Sequence, residues 1–154
     1  MLKKIKDVIK GQLTMGATPE KLSQSFIWGV LIGIFPLLGT TTSLSALAAW
    51  IFKLNHIVIQ ALNYAVYPIQ LLMIPIYIKI VDLFFDVGYV PLRPDLILNQ
   101  FKASPVEFFK QYSLIGVYAI MVWAIFSTAL YFVLYPVTLK AVKKFKKEKS
   151  NELA

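Results

Sequence analysis

The sequence predicts an all-α integral membrane fold: a broken, re-entrant helical hairpin plus two transmembrane helices, with an amphipathic N-terminal helix. Three observations predict it. The 154-residue chain is 58% hydrophobic and only 16% charged, against roughly 25% charged in soluble domains, and its mean hydropathy is +0.66. Its apolar runs are too long and continuous for a soluble core of this size. Its positive charge gathers at the two ends.

Residues 1–15 place Leu2, Ile5, Val8, Ile9 and Leu13 on one face with lysines opposite, the pattern of an interfacial helix on an anionic membrane surface. Thr18-Pro19-Glu20 then reads as a helix start, with threonine as N-cap, proline at the first helical position and an acid in the first turn. The hydrophobic run from Leu22 to Leu54 is broken by GVLIGIFPLLGTTTS at Gly29 to Ser43. As one helix it would be about 50 Å long, too long for a hydrocarbon core of about 30 Å; split near Pro36 to Gly39, each half is about 21 Å, too short to cross. A hairpin over 20–54 fits both lengths.

Charge parity favours the same arrangement. Residues 1–21 hold five lysines against Asp7 and Glu20, and residues 140–154 hold six against Glu148 and Glu152. The 80–112 segment is slightly acidic, with Arg93, Lys102 and Lys110 against Asp82, Asp86, Asp95 and Glu107. By the positive-inside rule both termini are cytoplasmic and 80–112 is outside. A single kinked span over 22–54 would put one lysine cluster on the wrong side. The chain then divides into the interfacial helix, the hairpin, a transmembrane helix over 56–82, an external connection over 83–104, and a transmembrane helix with a basic tail over 105–147, all in one membrane domain covering 1–154. Ala46-Leu47-Ala48 has the small-x-small form of a signal cleavage site, but the long charged leader and the proline-glycine break argue against processing.

Inside this frame the polar residues are selective. Ser25, Gly29 and Gly33 recur every four residues, the spacing that lets two helix backbones approach closely in lipid. Gly33, Pro36 and Gly39 mark the break, since proline cannot donate to the helix ladder and glycine tolerates positive φ. Thr40, Thr41, Thr42 and Ser43 offer caps for the second half, whose small face is expected at Thr42, Ala46 and Ala49. His56, Gln60, Asn63, Tyr67 and Gln70 form one polar stripe at helical spacing, which should face the hairpin or a wet cleft. Asn55 is the expected cap of that helix, and Pro68 and Pro75 should bend it. Ser104-Pro105-Val106-Glu107 has the form of a capping box opening the last helix.

These residues bound the chemistry. Cysteine is absent, excluding disulfides and thiolate chemistry, and no paired acids, metal spacing or phosphate loop stands out, so no enzyme, metal or cofactor is expected. The basic tail lacks any stacking platform for nucleic acid, and nucleic acid is not an expected partner.

The segment GATPEKLSQSFIWGVLIGIFPLLGTTT, with Lys53-Leu54-Asn55 and NYAVYPIQ at Asn63 to Gln70, resembles a bacterial membrane family catalogued as domain of unknown function two-zero-six-two. The matching elements are Gly16, Pro19, Gly29, Gly33, Pro36, Gly39, Thr40 to Thr42, Leu54, Asn55, Asn63 and Pro68, over about residues 11 to 135. The resemblance implies a small bacterial inner-membrane protein, sometimes joined to glycosyltransferase domains, and no proven activity.

Two functional expectations lead. In the first, the chain is a transport or lipid-headgroup translocation component whose mid-membrane polar site is formed by Thr40, Thr41, Thr42, Gln60, Asn63 and Gln70, with the second half-helix aiming N–H groups at an anionic group. In the second, it is a non-catalytic anchor or assembly subunit for a cytoplasmic enzyme such as a glycosyltransferase, and the glycines are packing surfaces. Membrane lipids are the expected partners, with such an enzyme, another membrane subunit or a second copy of the chain as further candidates. A membrane enzyme is the least favoured reading.

Overall fold

The computed structural model describes residues 18–85 and 94–152. The amphipathic helix expected at 1–15, and Pro91 and Arg93 of the expected external connection, lie outside the described residues. Among the described residues the chain forms six helices: α1 Pro19–Gly33, α2 Thr41–Ile51, α3 His56–Ala65, α4 Tyr67–Phe85, α5 Pro94–Ala103 and α6 Pro105–Glu152.

α1 begins as its sequence dictates. Thr18 Oγ1 accepts from the Lys21 N–H at 3.3 Å, Pro19 opens the helix, and Glu20 sits in the first turn. The helix stops at Gly33, and the chain reverses through a loop in which Gly39 takes φ +80°. α2 then returns antiparallel to α1. The return is fixed at its far end, where the Lys21 ammonium donates to the Phe52 carbonyl at 2.7 Å and Trp28 stacks on Phe52 at 4.9 Å. A cation on the last carbonyls of a helix satisfies groups the helix cannot and meets its negative dipole end.

α3 runs alongside α1 and closes the three-helix core of Ile32, Ala48, Ala49, Leu54 and Ile59. Ser25, Gly29 and Gly33 are the contact face. Ser25 Oγ donates to the Lys21 carbonyl at 2.7 Å and accepts from the Asn55 N–H at 2.8 Å. A Cβ at Gly29 would lie 2.8 Å from the Ile59 carbonyl oxygen, and one at Gly33 would overlap Val66 Cγ2. Asn55 caps α3, its Oδ1 accepting from the Ile57 and Val58 N–H groups at 3.1 Å each.

Four expectations need correction. The helix expected over 56–82 is divided at Val66 and is described as far as Phe85: Pro68 has no N–H to give, and Ile69 and Gln70 both donate back to the Val66 carbonyl instead. The small face of α2 is Thr41, Ser45, Ala48 and Ala49, all buried, while Thr42 is exposed. α2 packs against both α1 and α3, and the face turned to that groove is one residue round from the expected one. The 83–104 connection contains α5, which Pro94 and Asp95 open in the way Pro19 and Glu20 open α1. The capping box at Ser104 is half made. Ser104 Oγ accepts from the Glu107 N–H at 3.4 Å, but its own N–H is taken by the Gln100 carbonyl, and Glu107 turns to Lys110 at 3.7 Å.

α6 packs antiparallel on α1 along its length. Glu20 meets Lys143 at 3.1 Å at one end, Leu22, Val58 and Val142 pack together nearby, and Trp123 reaches the other end of α1. Further along, α4 joins α6 through Tyr77, Val81, Ile115 and Ala119. α4 and α6 are long and apolar enough to cross a membrane, and they are mostly not covered by protein.

Candidate functional site

The feature that organises the site is the C-terminal end of α1, because every helix leaves its last carbonyls without intrahelical donors. Here three side chains from other helices donate to that end and to the residues just past it. Trp123 Nε1 of α6 donates to the Leu31 carbonyl at 2.8 Å, Tyr77 Oη of α4 to the Ile34 carbonyl at 3.1 Å, and Gln70 Nε2 of α4 to the Phe35 carbonyl at 2.7 Å. Gln70 and Tyr77 are fully buried. Phe35 also packs edge-on against Trp123 at 4.8 Å, so the break is clamped from two sides. Tyr77 and Trp123 were not among the sequence candidates. The signal available for them was general: a tyrosine or tryptophan buried in an apolar run needs a partner for its polar tip.

The N-terminal end of α2 is built differently. The hydroxyls expected to cap it do not: Thr40 occupies the N-cap position with a helical backbone and no side-chain cap bond, and its Oγ1 donates to the Leu37 carbonyl at 2.9 Å. An N-cap hydroxyl needs extended backbone to swing onto the N2 or N3 amide, and ψ −19° denies it that. Thr41 is buried at the first position, while the Thr42 side chain faces outward. The Thr42 carbonyl instead accepts from Gln60 Nε2 at 3.0 Å.

The polar stripe therefore divides. Gln60, Asn63 and Gln70 lie against the hairpin, whereas His56, at the first position of α3, and Tyr67, at the first position of α4 past the division at Val66, are exposed. Of the three inward residues, the two glutamines spend their N–H groups on hairpin carbonyls and keep unpartnered oxygens. Asn63 is the exception. It is 2% exposed, its Cα packs against the Gly33 backbone, and neither Oδ1 nor Nδ2 has a hydrogen-bond partner. Ser45 Oγ, fully buried on the inner face of α2, is also unpartnered. Asn63 thus offers one acceptor and two donors in a setting where native structures rarely leave any unused. Such a set suits a ligand carrying hydroxyl, amide or phosphate oxygen groups. Among the described residues, no three His, Cys, Asp or Glu side chains gather where a metal could sit.

These features define a class first: a helical bundle in which a broken hairpin is clamped at its turn by donors from two long apolar helices, around a buried carboxamide. The chain belongs to the family described as uncharacterized protein conserved in bacteria (DUF2062), whose model matches residues 2–151. No curated protein and no solved structure matches it significantly.

Proposed function

We propose that the chain is a multi-pass inner-membrane protein whose hairpin re-enters the bilayer from the cytoplasmic side, and that it acts as a transport or lipid-headgroup translocation component through the polar site at Asn63. The observation that carries the reading is the unpartnered Asn63 carboxamide. A buried polar group left without a hydrogen bond costs about 1–3 kcal/mol, a cost that a binding protein recovers when a polar ligand arrives. α1 and α2 are about 22 Å and 16 Å long, each short of the roughly 30 Å hydrocarbon core. Their turn is the kind of broken backbone that membrane proteins keep where protein satisfies it beside a binding site. The Glu20–Lys143 contact joins the start of α1 to the lysine-rich end of α6, so Lys21 and the C-terminal lysines share one end of the bundle, which supports cytoplasmic termini. In this arrangement Asn63 is the central ligand, with Gln60, Gln70 and Thr41 around it, and Thr40 and Thr42 shape the turn.

A second reading, an anchor or assembly subunit, has its own support. The donors of Gln60 and Gln70 are already used to hold the hairpin closed, as a purely structural stripe would require.

Vesicle reconstitution tests the first reading. Wild-type protein should accelerate flipping of fluorescent headgroup lipids, and Asn63→Leu should abolish it while raising the melting temperature, because leucine removes the unpaired amide at nearly constant volume. Flipping that survives in folded Asn63→Leu takes Asn63 out of the pathway. A wild-type protein that moves neither lipid nor solute and copurifies with a cytoplasmic enzyme establishes the anchor.

A further inference from the structure

A second feature lies away from Asn63, on the side of α1 that carries Trp28 and Leu31. There α1 and α6 enclose a cleft of about 330 Å³, walled by Trp28, Leu31, Trp123, Tyr131 and Phe132, within the volume range of ligand sites. The space exists because α6 places the small residues Ala124 and Ser127 between Trp123 and Tyr131. Its wall is largely apolar, with hydroxyl-bearing side chains only at Ser127, Thr128 and Tyr131, and the Thr128 hydroxyl is spent on the Ala124 carbonyl of its own helix.

The cleft is connected by contacts to a basic rim. Trp28 stacks on Phe52, the Phe52 carbonyl accepts from the Lys21 ammonium, and the next residue is the exposed Lys53. Lys143 lies at the same end through its contact with Glu20. Lys53 also stands at φ +51°, the only non-glycine residue with positive φ among the described residues. That conformation, one residue past the C-cap of α2, is the one glycine ordinarily fills. A lysine held there at conformational cost places its charge on the rim. Leu31 is ten residues from Lys21, about 15 Å along α1, close to half the thickness of a bilayer core.

We propose that the cleft binds one acyl chain of an anionic phospholipid whose phosphate sits among Lys21, Lys53 and Lys143. The span from Lys21 to Leu31 matches a chain of one leaflet, and Lys21 and Lys53, with Lys143 beside its partner Glu20, leave a net positive mouth that selects an anionic headgroup. This inference rests on the membrane placement proposed above and is independent of the polar site at Asn63.

Tryptophan quenching by lipids brominated on the acyl chain tests it. Trp28 and Trp123 report the cleft once the exposed Trp50 is replaced by phenylalanine. In phosphatidylcholine vesicles, dibrominated phosphatidylglycerol should quench Trp50→Phe protein at least twofold more strongly than dibrominated phosphatidylcholine at the same mole fraction. Adding Ser127→Leu, which fills the cleft, should remove that excess. Adding Lys53→Gly should reduce it by half or more without lowering the melting temperature, since glycine suits the backbone there. Equal quenching by the two lipids, or an excess that survives both added substitutions, overturns the proposal. Quenching confined to protein that retains Trp50 assigns the cleft to a second copy of the chain and overturns it while leaving the membrane placement intact. No quenching even with Trp50 present overturns the proposal and the membrane placement together.

Discussion

At the scale of single residues, the glycines of the break are not equivalent, and each makes a different prediction. Gly29 and Gly33 are small because α3 lies on them: a methyl group at either meets backbone or side-chain atoms well inside normal contact. Gly29→Ala should therefore cost about 1–3 kcal/mol, the usual penalty for overpacking, measurable as a lower melting temperature in detergent. Gly39 has open space around its α-carbon and is constrained only by φ +80°. Gly39→Ala should cost less, about 1 kcal/mol, by strain alone. If the two alanine variants lose equal stability, close helix approach is not what the α1 glycines provide. The four-residue spacing of Ser25, Gly29 and Gly33 was legible in the sequence, since small residues at that interval have few other uses in an apolar helix. The partner helix was not legible, because spacing defines a face without naming what covers it.

At the scale of elements, caps separate the helices that local sequence specifies from the one that tertiary contacts specify. Asn55 holds two amides of α3, so Asn55→Ala should destabilise by about 1 kcal/mol. Thr40 caps no amide of α2 and its hydroxyl only donates to the Leu37 carbonyl, so Thr40→Ala should cost less, about 0.5 kcal/mol, the low end for one intramolecular hydrogen bond. Thermal melts of the pair decide whether the expected hydroxyl cap exists. The start of α1 adds a pH dependence. The backbone N–H at its own position and the Lys143 ammonium hold the Glu20 carboxyl below its ordinary value of 4.5. A carboxyl lowered on folding contributes stability that is complete above the ordinary value and is lost as pH falls through the lowered one. The stability gap between wild type and Glu20→Gln should therefore be present at neutral pH and close in strong acid. A gap that persists in acid would trace to packing and not to charge. The same local signals, proline with an acid, also open α5, yet that helix was read as connection. Its ten residues are amphipathic but low in overall hydrophobicity, so they stand apart from the long apolar runs that define the fold.

At the scale of the whole molecule, the lysine-rich ends, the hairpin and the two long helices make one topological statement. Reporters fused after Lys53, near Asp95 and after Lys149 should read inside, outside and inside; an outside signal after Lys53 removes the re-entrant hairpin. Exposure agrees with lipid contact along α4 and α6, where Leu72, Leu83, Phe84, Ile125 and Val133 face away from protein, more apolar surface than a soluble monomer ordinarily presents.

What the sequence determined by itself was helicity, the position of the break, the caps at Thr18 and Asn55, and family membership. The first three rest on interactions within about one turn or on overall composition, and the last on the ordered motifs from Gly16 to Pro68, so spacing and residue type suffice for all of them. What only the tertiary structure decided was which carbonyls the break would orphan and who would satisfy them. Gln70, Tyr77 and Trp123 come from 35, 43 and 92 residues away to do so. The same long-range packing split the polar stripe, so that Gln60 and Gln70 serve the hairpin and Asn63 keeps its carboxamide unspent. A helical pattern fixes direction within one helix, but a hydrogen bond across helices depends on where the partner backbone ends, and that is set only when the bundle closes.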